Sequence, residues 1–346
     1  MENMVSLIKN ILVTGSEGYI GSVLVDILKE KKYKIRCIDS GFFVRNEISK
    51  PRSTYPLIKK DIRSINKNDL KNIDAIIHLA ALSNDPMGEL NHSLTKSINL
   101  DATIRLAKLA KKMKIKKFIF SSSCSVYGIA KTKIVNEHSK ANPQTCYAKC
   151  KLIAEQKLKK LASRNFFVGI LRNSTVYGFS PRFRNDLVVN NMVASALSEK
   201  QIKIMSDGKP WRPLIDVKDL SQIFIEFLKN DQMELNGKIV NVGFAEGNYQ
   251  INDIAKTINK YMPKCKIIYT GEHGSDTRSY KVDFKLFKKY FPNMKQKWPL
   301  SKSVKDLINK LRNSQKTVYS SKFSRLSAIN DYLKAKILNK KLYWNQ

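Results

Sequence analysis

The sequence predicts an α/β fold, a doubly wound parallel sheet carrying a smaller cap toward the C-terminus. Three observations point to it. Over roughly the first 125 residues, short apolar runs alternate with longer helical patterns. A glycine-rich turn joins the first apolar run to the first helical stretch. Beyond Tyr177 the alternation loosens into turn-rich sequence. Regular alternation of this kind places a parallel sheet between two helical layers.

The runs at 10–14, 34–39, 74–79 and 117–120 read as strands, because a strand covered on both faces needs near-continuous apolar sequence. Helical stretches lie between them, from Tyr19 to Lys31 and from Leu94 to Lys114. In the second, Ile98, Ala102, Leu106, Leu109 and Met113 repeat at helical spacing. A further helix is expected over 146–163 and a strand over 167–171. The run 238–243 reads as a strand returning to the sheet. The sheet domain then spans 1–177 with 214–243. Residues 178–213 and 244–315 form the cap over the sheet's carboxyl edge. The tail, 316–346, reads as one more helix with Leu326, Ile329, Leu333 and Ile337 on a single stripe, used for packing or for a dimer contact.

The turn Thr14-Gly15-Ser16-Glu17-Gly18-Tyr19-Ile20-Gly21 sits between the first strand and the first helix. Glycine allows a tight turn and lets backbone approach a pyrophosphate resting on a helix N-terminus. In that context Gly15, Gly18, Tyr19, Ile20 and Gly21 read as the phosphate-binding part of a Rossmann-type fold. Asp39 ends the second strand, where an acid accepts hydrogen bonds from both adenosine ribose hydroxyls. A carboxylate there repels a 2′-phosphate, so NAD is expected over NADP. Asp61, with Ile62 beside it, either meets the adenine amino group or caps a short helix.

Two more segments carry chemistry. Phe118 to Gly128 is an apolar strand running into hydroxyls, among them Ser123, and Tyr147 and Lys151 stand four apart on a predicted helix. A hydroxyl, a phenol and an ammonium converging beside a bound nucleotide can take the proton from a sugar alcohol.

Together these segments resemble the extended short-chain dehydrogenase/reductases, the NAD-dependent nucleotide-sugar epimerase/dehydratase family, in a form similar to UDP-glucose 4-epimerases. The resemblance also rests on His78-Leu79-Ala80-Ala81, on Asn99 near the start of the long helical stretch, on Leu171 to Gly178 and on Arg212 to Val217. It implies a smaller C-terminal substrate-binding cap and a nucleotide-diphosphate sugar as substrate. It implies Tyr147 as base, with its pKa lowered by Lys151 and the nicotinamide ring. Lys151 holds the nicotinamide ribose, and Ser123 orients the substrate and relays the proton. Leu79, Ala80 and Ala81 form a wall against the cofactor. Asn99 orders the sheet or the cofactor through backbone contacts, or is purely structural. Arg212 meets the substrate diphosphate, Arg278 adds a second contact, and Thr175 and either Asn190 or Asp186 touch the substrate. The implied assembly is a homodimer built on the two long helices.

Family dehydratases carry an Asp-Glu pair directly after the catalytic hydroxyl. Here those places hold Cys124 and Ser125. The resemblance therefore implies hydride removal from a sugar carbon, most often C4, with its return to the other face: an epimerase. A nucleotide-sugar dehydrogenase or ketoreductase is the alternative, ahead of a 4,6-dehydratase. A protein that binds NAD without turnover is the reading from outside enzymology.

Composition bounds the partners. At 346 residues the chain holds one large or two modest domains. It has no apolar run near the roughly 18 residues that span a bilayer, and its start lacks the pattern of a signal peptide. Five cysteines without Cys-x-x-Cys spacing fit a reduced cytoplasm and no metal site. The formal charge of +34 is extreme, but only 13 of the 63 basic residues are Arg. Lys excess spread along the chain indicates solvated surface rather than nucleic-acid readout, and neither nucleic acid nor membrane is expected as a partner.

Overall fold

The computed structural model describes residues 8–44, 47–49, 55–130, 132–270, 278–314, 318 and 320–345. Seven strands form one parallel sheet: β1 (Asn10–Thr14), β2 (Lys34–Asp39), β3 (Leu57–Lys59), β4 (Ala75–His78), β5 (Lys117–Ser123), β6 (Phe167–Asn173) and β7 (Ile239–Val242). Their order is β7-β6-β5-β4-β1-β2-β3. The chain reverses direction across the sheet between β1 and β4, and ligands bind beyond the strand ends at such a switch point.

Strand periodicity divides the core. Ile11 and Val13 of β1 pack with Leu24 and Leu28 of the Tyr19–Glu30 helix. Leu12, one residue out of phase, packs with Leu106 and Phe118 on the opposite face. A third apolar cluster, away from the sheet, joins Val189 and Val193, Ile254 and Ile258, and Val304 and Leu307. Two small sheets accompany it: one of three strands, with Trp211–Asp216 at its centre, and one pairing Lys266–Tyr269 with Gln201–Ile204.

Three local features depart from the sequence reading. β3 is an extra three-residue edge strand, with Leu57 beside Cys37 and Lys59 beside Asp39; so short a strand leaves little periodic signal. The helix expected from Leu94 to Lys114 contains a π-helical turn over Ser97–Ala102. The tail helix runs only from Arg325 to Lys334. It ends because Lys336 adopts a left-handed conformation (φ 53°) and Ile337 donates back to Tyr332 O at 2.9 Å. Glycine ordinarily marks such an ending; with lysine there the stop was hidden. Ile337 is therefore off the helix, and Leu338 pairs with Trp344.

A buried polar chain ties the layers at the site end of the sheet. His78 Nδ1 lies 2.7 Å from Thr14 Oγ1 and its Nε2 lies 2.8 Å from Thr103 Oγ1. Burial, reinforced by the charge of Lys151, pushes the imidazole down to about 3, so His78 is neutral and structural.

Candidate active site

The glycine turn is folded so tightly that side chains are excluded. A Cβ on Gly21 would lie 2.1 Å from Gly15 O, and one on Gly15 (φ +74°) would lie 2.7 Å from Ala80 N. Gly15 N donates to Ile38 O at 2.9 Å, which fixes the turn against β2. The Tyr19–Glu30 helix begins at Gly18 with no side-chain cap and no acid in its first turn. Its first amides are thus left for an anion.

Asp39 stands at the end of β2. Its carboxylate accepts from Glu17 N at 3.0 Å and Gly41 N at 2.7 Å. Burial nevertheless pushes it up to about 6, the two amides acting against that rise. Asp61 accepts from Arg63 N at 2.7 Å and pairs with the Arg63 guanidinium at 2.7 Å; it caps a short 3-10 turn and also lines the cavity.

The cavity measures about 880 Å³, near the upper end of the roughly 300–1,000 Å³ range of small-molecule sites. It runs from Gly15, Gly18, Tyr19, Ile20 and Gly21 past Asp39 and Ile62, along Leu79, Ala80 and Ala81, to Ser123, Tyr147 and Lys151. Thr175, Asp186, Arg212 and Arg278 line it as well. These residues come from distant parts of the chain, and the carboxyl edge of the sheet brings them together.

Two expected residues do not line the cavity. Asn190 is fully buried: Gly178 N donates to its Oδ1 at 3.0 Å, and its Nδ2 donates to Arg184 O at 2.9 Å and to Tyr19 Oη at 3.1 Å. With its amide consumed in this way, Asn190 is a packing residue. Asn99 holds backbone, exchanging hydrogen bonds with Leu82 N (2.8 Å) and Leu82 O (3.1 Å). It sits in the π-helical turn and steadies the segment that follows Ala80 and Ala81.

At the reacting end, Ser123, Tyr147 and Lys151 line the same part of the cavity wall, and the Ser123 hydroxyl acts to lower the pKa of the Tyr147 phenol. Lys151 Nζ donates to Ser121 O at 2.6 Å and lies 5.7 Å from the centre of the Tyr147 ring. Burial pushes Lys151 down to about 8, opposed chiefly by Glu155. Among the protein's own groups, burial, helped by Asp85, pushes the Tyr147 phenol up to about 12, while Ser123 and Arg184 act the other way. The desolvation of the phenol outweighs the cations this chain places near it.

The strand and the helix are held by a buried ion pair that sequence reasoning missed. Arg172 reaches Glu155 at 2.7 Å, with both side chains buried, and Ser122 also donates to Glu155. Also missed were Arg184, which pairs with Asp186 at 2.9 Å, and Arg325 from the tail. Arg184 was visible beside Asp186 in the sequence, whereas nothing local marked Arg325. Arg212 donates to Arg278 O, and Arg278 pairs with Asp85 at 2.9 Å. Among the described residues no group of His, Cys, Asp and Glu could hold a metal ion, and no helix is long and apolar enough to cross a membrane.

A dinucleotide-type sheet whose cavity gathers a serine, a tyrosine and a lysine defines an extended short-chain dehydrogenase/reductase. The chain belongs to the NAD dependent epimerase/dehydratase family, whose profile matches residues 11–243. It is 32% identical over 249 residues to an uncharacterized UDP-glucose epimerase of Bacillus subtilis, covering 68% of this chain and 77% of that protein. It is 25% identical over 316 residues to UDP-glucuronic acid decarboxylase 4 of Arabidopsis thaliana, covering 88% and 70%. Among solved structures it resembles the UDP-N-acetylglucosamine 4-epimerase of Methanobrevibacter ruminantium, with a TM-score of 0.77 and 26% identity over 87% of this chain and 99% of that one. The chain is thus an NAD-dependent enzyme of this family, and the glycine cradle, the free helix amides and Asp39 fit that cofactor.

Proposed function

We propose that the protein is an epimerase of nucleotide-diphosphate sugars that works at a sugar hydroxyl, with C4 as the reacting carbon. The observation that carries this reading is the state of the two residues after Ser123. Cys124 is buried, its Sγ donates to Arg172 O at 3.3 Å, and burial holds its thiol far above the usual range. Ser125 has no acid function. Neither can supply the acid and base that loss of water requires.

Three further carboxylates line the cavity, and each is engaged elsewhere. Asp85 is held by Arg278 and Thr145, Glu89 by His92 and Cys146 N, and Asp186 by Arg184 and Asn84. What remains for chemistry is Ser123, Tyr147 and Lys151.

In this reading Ser123 holds the sugar hydroxyl, Tyr147 takes its proton and later gives it back, and the Lys151 ammonium favours the phenolate. NAD, when bound, accepts and returns the hydride and adds the positive charge that the side chains alone do not supply. Arg212 and Arg278 hold the substrate's diphosphate, since a guanidinium fork matches phosphate oxygens.

The test is to offer the purified protein UDP-, GDP-, dTDP- and CDP-sugars while following absorbance of NADH and product stereochemistry. An inverted product without net NADH supports the reading. Steady NADH accumulation would make the enzyme a dehydrogenase, and loss of water or carbon dioxide would also overturn it.

A further inference from the structure

The tail crosses the adenosine end of the cavity. Trp344 Nε1 donates to Ser40 O at 2.7 Å, and Asn185 Nδ2 donates to Ser320 O at 2.8 Å. Ser324, Arg325 and Leu326 line the cavity. This segment lies beyond residue 243, where the family match ends.

Three arginines meet there, and two are neutralised. Arg182 pairs with Glu17 and, at 2.6 Å, with Glu47. Arg184 reaches Asp186 through two contacts of 2.9 Å. Arg325 is 1% exposed and makes no ion pair among the described residues. Its Nη2 donates to Arg182 O at 2.8 Å, and its guanidinium lies 4.2 Å from the centre of the Phe43 ring. Its Nη1 is buried without a hydrogen-bond partner among the described residues. Burial and the charge of Arg184 push it down to about 9. A buried cation with a spare donor and no counterion is costly unless an anion arrives.

We propose that Arg325 binds the pyrophosphate of the dinucleotide, so that the C-terminal segment completes the cofactor site. The proposal rests on the NAD reading. Asp39 lines the same cavity and lies close enough for its charge to act on Arg325; it disfavours a second phosphate on the ribose, which makes the pyrophosphate the anion.

Calorimetric titration of the full chain with NAD, NADP, ADP and adenosine tests this without any turnover. R325Q should weaken NAD and ADP about ten- to hundredfold, the range of a charged hydrogen bond, and leave adenosine within twofold. R325K should lose less than R325Q. On the unaltered chain, inorganic pyrophosphate should compete with NAD and raise the thermal midpoint. Equal losses for ADP and adenosine, unchanged NAD affinity in R325Q, or no competition by pyrophosphate would each overturn the proposal. Tighter binding of NADP than NAD that R325Q reverses would also overturn it, by moving the contact to the 2′-phosphate. Failure of the unaltered chain to bind NAD would instead sink the underlying reading.

Discussion

Lys151 Nζ donates to the main-chain oxygen of Ser121 at 2.6 Å, two residues before Ser123 on the same strand. The cation on the helix is thereby tied to the strand that carries the hydroxyl. Lys151→Met should cut turnover by about 10²–10⁴-fold, the usual scale of acid–base assistance. It should leave the thermal midpoint unchanged or raised, because a buried charge is replaced by an apolar chain of similar length. Tyr147→Phe should lower turnover by a similar factor while calorimetry still detects NAD. Near-normal rates in either variant would remove that residue from the chemistry.

Asp39 provides a pH test. Its folded pKa is raised to about 6 from 3.8, so in between the folded chain holds a proton that the unfolded chain has lost. Stability from this group is present at low pH and falls as pH rises from about 4 to 6. Cofactor binding should run the other way, because the ionised carboxylate is the better acceptor for ribose hydroxyls. NAD affinity should weaken as pH drops from about 7 to 5, and Asp39→Asn should flatten that dependence. A titration series across this range decides it.

Asn99 should behave as a support. Asn99→Ala removes both hydrogen bonds to Leu82 and should cost about 1–3 kcal/mol. Since Asn99 does not line the cavity, NAD affinity should fall more than the rate at saturating cofactor. Thermal melts and a comparison of the dissociation constant with kcat separate the two effects.

Cys124 should be dispensable for turnover. Its thiol faces Arg172 O and is held uncharged by burial, so Cys124→Ala should keep the rate within a few-fold. A loss of about a hundredfold in initial rate, the scale of acid–base assistance, would place the thiol in the reaction.

The sheet was legible because its signals are local. Apolar runs marked six of the seven strands, and β3 escaped because three edge residues carry no clear period. Ser123, Tyr147 and Lys151 were legible for the same reason, as spacing along one strand and one helix. Asn190 was not: its position near a cavity-lining segment said nothing about the three partners that consume its amide. The titration of Tyr147 was equally hidden, since burial depends on every element packed over the ring.

By itself, the sequence determined the alternating sheet, the glycine turn, the acid at the end of β2 and the Ser-Tyr-Lys set. Each is written within one element or its immediate neighbours, at the periods of about 2 and 3.6 that backbone geometry imposes. Only the tertiary structure decided which charges meet. Arg182 finds Glu17 165 residues away, and Arg325 joins the cofactor end of the cavity from the tail. Such pairings follow from how layers pack, and local periodicity carries no record of them.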